Sequence, residues 1–159
     1  MSDSPNLPEN WLTTGAPAGH IEAMVASAEL VRTIDTLRRR FASELGVGMT
    51  EMQAMARILE AGEPVTPKHL AAALSMSTGA VTALLDRLEV HGVVVRSANP
   101  DDRRSTLVEL TSAGRQAIQS NYDEYATRFE RVAKERSEKE LAVISAFFRD
   151  LAVAFDSTS

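Results

Sequence analysis

The side chains best equipped for chemistry here are cations and small hydroxyls, not acid–base or nucleophilic pairs. In Asn99-Pro100-Asp101-Asp102-Arg103-Arg104, an Asn-Pro bend is followed by two adjacent guanidiniums. A planar cation at the tip of a turn suits a narrow groove of strongly negative potential. Ser77-Thr78-Gly79 and, one helical turn on, Thr82 are short residues that allow a close surface and can exchange hydrogen bonds with it. Lys68, His69, Arg87, Arg96 and Arg115 surround this segment. Each could hold a phosphate oxygen, which needs only a positive or donor group; the competing reading of each is a solvated surface charge.

Catalytic constellations are missing by comparison. There is no cysteine, so a thiol nucleophile, a thiolate zinc site, a disulfide framework and a thiol redox sensor are all excluded. His20, His69 and His91 stand far apart without ligand spacing to an acidic cluster, and neither a glycine-rich phosphate loop nor a Gly-x-Ser-x-Gly elbow occurs. Asp101-Asp102 and Glu135, Glu138 and Glu140 read as solvated acids. The expectation is a protein that is not an enzyme and holds no metal and no cofactor.

The elements that must carry these residues follow from apolar spacing. Ile21, Met24, Ala28, Val31, Ile34, Phe41 and Leu45 recur at helical steps, predicting a first helix from His20 to about Leu45, stopped by Gly46 and Gly48. Thr50-Glu51-Met52-Gln53 reads as a capping box opening a second helix that ends at Gly62. Thr66 caps and Pro67 starts a third, short helix over Leu70 to Leu74. Ser77 caps a fourth, with Val81, Leu84, Leu85 and Leu88 on one face and His91-Gly92 at its end. Val93 to Arg96 and Thr106 to Leu110 are β-branched or alternating and predict two strands around a polar tip, 97–105. Thr111 caps a fifth helix bearing Ile118, Tyr122, Tyr125, Phe129 and Val132. Ser137-Glu138-Lys139-Glu140 is a second capping box, for a sixth helix bearing Leu141, Ile144, Phe148, Leu151 and Phe155. Residues 1–19, with three prolines, two glycines and Trp11, predict a loose arm.

At 159 residues the chain is of single-domain size, with 44% hydrophobic and 25% charged residues. The net charge of −5 is unevenly spread: Thr66 to Arg115 holds six basic and five acidic residues, the remainder 11 basic and 17 acidic. A polyanion senses charge within about 8–10 Å, so the local balance matters more than the total. No apolar run approaches membrane-spanning length and the N-terminus lacks a signal core, so a cytoplasmic protein without membrane attachment is expected.

Helix, helix, short helix, turn, helix, hairpin, helix, helix is the order of a winged helix-turn-helix between long helices. Leu70-Ala71-Ala72-Ala73-Leu74-Ser75-Met76-Ser77-Thr78-Gly79-Ala80-Val81-Thr82-Ala83-Leu84-Leu85-Asp86-Arg87-Leu88-Glu89, then His91-Gly92-Val93-Val94, then Asp101-Asp102-Arg103-Arg104 through Leu110-Thr111-Ser112-Ala113-Gly114-Arg115, closely resembles the multiple-antibiotic-resistance-regulator (MarR) family of bacterial transcription factors. The strong resemblance covers about 46 residues. It implies a mainly α (α+β) fold: a winged helix-turn-helix lobe over 49–111, with dimerisation helices over 20–48 and 112–159. It also implies an obligate homodimer that sets two lobes on successive major grooves of double-stranded DNA at a pseudo-palindromic operator. The stripes of the long helices agree with that, with Ile21, Tyr122, Tyr125, Phe129, Phe148, Leu151 and Phe155 as dimerisation residues; a monomeric bundle is the alternative.

On this reading Ser77, Thr78, Gly79 and Thr82 face base edges or phosphate from the recognition helix, Lys68 and Arg87 contact phosphate, and Arg103 and Arg104 probe the minor groove. By resemblance, Asp102 and Arg104 are the motif pair of the wing, and Asp86 matches an acid that pairs with this Arg and orients the wing. Met49, Met52 and Met55 could line a crevice for a small aromatic or amphipathic ligand that releases a repressor; core packing is the alternative use. The competing function is a winged-helix interaction module that no longer binds DNA.

Overall fold

The computed structural model describes residues 19–102 and 104–156. The loose arm expected for residues 1–19, with Trp11, lies outside the described residues except for Gly19, and so does Arg103. Six helices and a hairpin follow in the expected order: α1 (His20–Leu45), α2 (Met49–Ala61), α3 (Pro67–Ala73), α4 (Thr78–Val90), β1 (Val94–Ala98), β2 (Thr106–Leu110), α5 (Ser112–Ala133) and α6 (Glu138–Asp156).

Side-chain caps begin most of these helices. Thr66 Oγ1 accepts from the His69 N–H at 3.2 Å, with Pro67 in the first turn, where its missing N–H removes no helical bond. Ser77 Oγ accepts from the Ala80 N–H at 3.2 Å, and Thr111 Oγ1 from that of Gly114 at 3.0 Å. Ser137 and Glu140 form the reciprocal box expected of them, with the Glu140 carboxylate accepting from the Ser137 N–H at 2.8 Å. One expected box is corrected. Helix α2 begins at Met49 with Gly48 as its cap, and Glu51, not Gln53, accepts the Gly48 N–H. The extended backbone at Gly48 places Glu51, rather than Gln53, in the third helical position.

The core is assembled around α4. Val81, Leu84, Leu85 and Leu88 are fully buried, joined by Met55 and Ile58 of α2, Leu70 of α3, Val108 of the hairpin and Ile118 of α5. The hairpin is antiparallel, with Val94 opposite Leu110 and Ala98 opposite Thr106. Its first strand lies one to two residues later than the sequence predicts, because Val93 is used elsewhere: its carbonyl accepts from the Thr111 N–H at 3.1 Å, where α5 begins. Val65, just before α3, bridges Val108 through bonds of 2.9 and 2.8 Å and fastens α2 and α3 to the hairpin. Gly114 is required by close approach, since a Cβ there would collide with the Val93 backbone. Ser75, in the turn between α3 and α4, takes φ 53°, an uncommon left-handed conformation for a residue with a side chain.

Among the described residues, every buried one lies between Ala42 and Ile118. Helix α6 buries none, and Phe129, Phe147, Phe148 and Phe155 are exposed on α5 and α6. Tyr125 and Phe129 stack on each other along α5 with ring centroids 6.3 Å apart. No described helix is long and apolar enough to cross a membrane.

Candidate nucleic-acid interface

Burying the Val81-Leu84-Leu85-Leu88 stripe of α4 turns the opposite side outward, so Ser77, Thr78, Gly79, Thr82, Ala83, Asp86 and Arg87 are exposed together. Nothing bulky stands in the first two turns. The Thr82 hydroxyl donates to the Thr78 carbonyl at 2.9 Å, leaving its oxygen lone pairs to accept from a ligand. Among the described residues, no atom beyond Gly79's own stretch of helix lies within 4 Å of where its Cβ would stand, so their packing does not require its smallness. Lys68 and His69 are exposed at the start of α3, and Arg115 on the first turn of α5.

The tip of the hairpin is shaped by short polar bonds. Asn99 Nδ2 donates to Ser105 Oγ at 2.8 Å, Asn99 Oδ1 accepts the Asp101 N–H at 3.0 Å, and Asp102 Oδ1 accepts the Arg104 N–H at 3.0 Å. Asx turns of this kind replace ladder bonds where the chain reverses. Asp102 therefore holds the backbone of Arg104 directly, and Arg104 is exposed.

The expected Asp86–Arg104 pair is corrected. Arg96, from β1, takes that acid: its Nη1 donates to Asp86 Oδ1 at 2.6 Å and Glu89 Oε2 at 3.2 Å, and its Nη2 to the Thr82 carbonyl at 3.2 Å. Thr82, Asp86 and Glu89 follow one another along a single face of α4, so one guanidinium spans two helical turns and ties the hairpin to the helix. Arg104 is eight residues further along the hairpin, whereas Arg96 leaves the strand beside α4. Arg96 is also withdrawn from phosphate duty, since its side chain is only 24% exposed and already bonded. The helical spacing of Asp86 and Glu89, with a lone Arg just beyond the helix, was the available signal for this strut.

A second charged link was missed altogether. Arg87 Nε donates to Glu51 Oε1 at 2.5 Å, joining α4 to the start of α2. The Arg87 hydrogen bond holds the Glu51 carboxyl below its ordinary range, against the upward push of burial, with help from the Gly48 N–H and the nearby positive groups. An acid beside an apolar stripe gives no sequence signal of its partner.

Beneath α2 a crevice of about 370 Å³ is lined by Arg38, Met49, Met52, Ser75, Asn121 and Tyr122, among others. Among the described residues, the buried Asn121 Nδ2 finds no hydrogen-bond partner. The Tyr122 hydroxyl donates to Glu60 at 3.2 Å, and burial, followed by the Glu60 charge, pushes the phenol upward from its usual range. Met55, by contrast, is fully buried and belongs to the core. Of the expected dimerisation residues, Tyr122, Tyr125, Phe129, Phe148 and Phe155 are exposed, and Ile21 and Leu151 are half-buried.

Comparison with known proteins agrees with this geometry. Residues 45–105 match the profile described as "MarR family". The uncharacterised HTH-type transcriptional regulator YcgE of Bacillus subtilis is 34% identical over 106 residues, 67% of this chain and 68% of the relative. The multiple antibiotic resistance protein MarR of Salmonella typhimurium is 39% identical over 80 residues, so this chain spans about half of that relative's length (55%) and half of its own (50%). The crystal structure of apo MarR from E. coli superposes with a TM-score of 0.61 at 26% identity, covering 86% of this chain and 96% of that one.

Proposed function

The chain belongs to the MarR family of DNA-binding transcriptional regulators, and from that premise we propose that it is a homodimeric repressor of a pseudo-palindromic operator. The observation that carries the reading is the exposed face of α4, small and polar from Ser77 to Thr82, beside a hairpin whose outer end presents Arg104. In this reading α4 enters the major groove. Thr78, Gly79 and Thr82 approach base edges, Ser77, Lys68 and Arg87 engage phosphate, and Arg103 and Arg104 reach the adjacent minor groove. Direct base readout is thin, since no long donor stands in the first two turns, and the wings and the shape of the duplex supply much of the specificity.

Two lobes must be held about one helical turn apart to read two half-sites. The exposed aromatic faces of α5 and α6, with α1, supply the scaffold for a second copy. The crevice under α2 lies between α1, α5 and the winged elements, so a small aromatic or amphipathic molecule seated there would alter the lobe spacing and release the operator.

Fluorescence anisotropy with the DNA upstream of the protein's own gene tests the reading. Binding retained against excess random DNA, with affinity falling steeply as salt rises, is the expected result. Indifference to DNA at low salt would replace it with a protein-interaction module.

A further inference from the structure

Among the described residues, Glu51 is the one buried charged side chain. It stands in the first turn of α2, where one carboxylate oxygen accepts the Gly48 N–H and the other accepts Arg87 Nε at 2.5 Å. Capping α2 needs only one of these oxygens and could be done from water. Burying the carboxylate removes hydration that the guanidinium must replace. The pair is lopsided: the Glu51 side chain is 11% exposed and that of Arg87 58%. An anchored acid inside thus grips the inner edge of a cation whose other end reaches solvent.

The geometry of a guanidinium completes the argument. Its five N–H donors lie in one plane. With Nε committed to Glu51, four donors remain on Nη1 and Nη2, and one from each converges on the outer edge as a fixed two-pronged fork, a shape that matches two phosphate oxygens. Arg96 offers the contrast, since both of its terminal nitrogens are spent on α4. We propose that Glu51 is a positioning residue for DNA binding, fixing Arg87 as an end-on fork for one backbone phosphate at the far end of α4. This rests on the reading that α4 enters the groove. A long side chain ordered in advance does not lose its rotamer freedom on binding, which corresponds to roughly a three- to tenfold gain in affinity. An acid acting only through its charge would do the reverse, weakening every duplex alike.

The test uses the full-length chain with Glu51→Gln, Arg87→Ala, Arg87→Lys and the Glu51→Gln/Arg87→Ala double variant. Anisotropy is measured across a salt series on two probes: a duplex enriched by the wild-type protein from a randomised library, and a random-sequence duplex. Arg87→Ala is expected to reduce the salt slope by about one phosphate. Glu51→Gln should weaken the enriched duplex about three- to tenfold, yet have no further effect on DNA binding once Arg87 is alanine. Arg87→Lys, which keeps the charge but not the fork, should hold the random duplex and lose affinity for the enriched one. Because Arg87 is exposed, that arm remains informative even if Glu51→Gln unfolds.

Tighter binding of both probes by Glu51→Gln, an equal loss with and without Arg87, or a fully competent Arg87→Lys would each overturn the positioning role. A wild-type protein that enriches no duplex would instead overturn the DNA-binding reading, and this inference with it.

Discussion

The stretch from α2 to the start of α5 and the long helices α1 and α6 are built on opposite terms. In the first, apolar stripes from α2, α3, α4, the hairpin and α5 converge until Val81, Leu84, Leu85, Leu88 and Val108 have no exposed surface. In the second, equally regular stripes find little to cover them: α6 has no buried residue, and α1 has only Ala42. The difference teaches that periodicity reports an intention to bury and leaves the partner unspecified. A stripe is satisfied inside the chain where neighbouring elements are short enough to fold back on it. Where helices run for 19 to 26 residues, as in α1 and α6, the stripe stays open, and the proposed second copy would cover it.

The comparison is sharpened most by cutting into each region in turn. Leu84→Ala should cost about 2–5 kcal/mol of stability, since the well-packed surroundings of α4 cannot collapse into the void. Urea denaturation would record it, and a loss below about 1 kcal/mol would mean that this core is looser than its burial implies. Phe148→Asp, on the uncovered face of α6, should instead leave the α2–α5 core intact while weakening self-association at least tenfold. Light scattering across a concentration series reads that change. A wild-type mass equal to one chain at micromolar concentration would remove the second copy from the account.

Arg104→Ala at the hairpin tip is a smaller perturbation, because it disturbs no packing. It should weaken operator binding by about 1–3 kcal/mol and lower the salt slope by about one, with the thermal midpoint unchanged. Unaltered affinity and slope would take the wing out of the interface.

The smallest effect is in pH. The Arg87 hydrogen bond lowers the Glu51 pKa in the folded chain, so Glu51 contributes stability that is fully present above the unfolded carboxylate value and is lost as pH falls through the lower, folded one. Glu51→Gln lacks that contribution at every pH. Its deficit against the wild type should therefore be widest near neutrality and narrow below about pH 4. Parallel stability curves for the two proteins would show that the ion pair adds nothing.

Much of the fold was legible because it is written locally. Thr66, Ser77 and Thr111 cap the helices they were expected to cap, and the helical steps of Val81 to Leu88 picked out the buried face of α4. In the interface, the exposed positions of α4 followed from the same stripe by exclusion. The failures share a cause. The capping signature predicts Gln53 because it counts residues from an assumed start. The resemblance points to Arg104 because a motif orders residues along the chain and does not record which strand leans on which helix.

Element order, caps and the sides of helices were therefore set by the sequence alone, since each depends on residues within about a turn of one another. Tertiary structure decided which groups meet: the charges of Arg96 with Asp86 and Glu89 and of Arg87 with Glu51, and the backbone of Val65 with that of Val108. Those partners come from separate elements, and side chains of the same charge and length compete for each acid. Only the closed packing of α2, α4 and the hairpin brings one cation within hydrogen-bond reach and leaves the other in water.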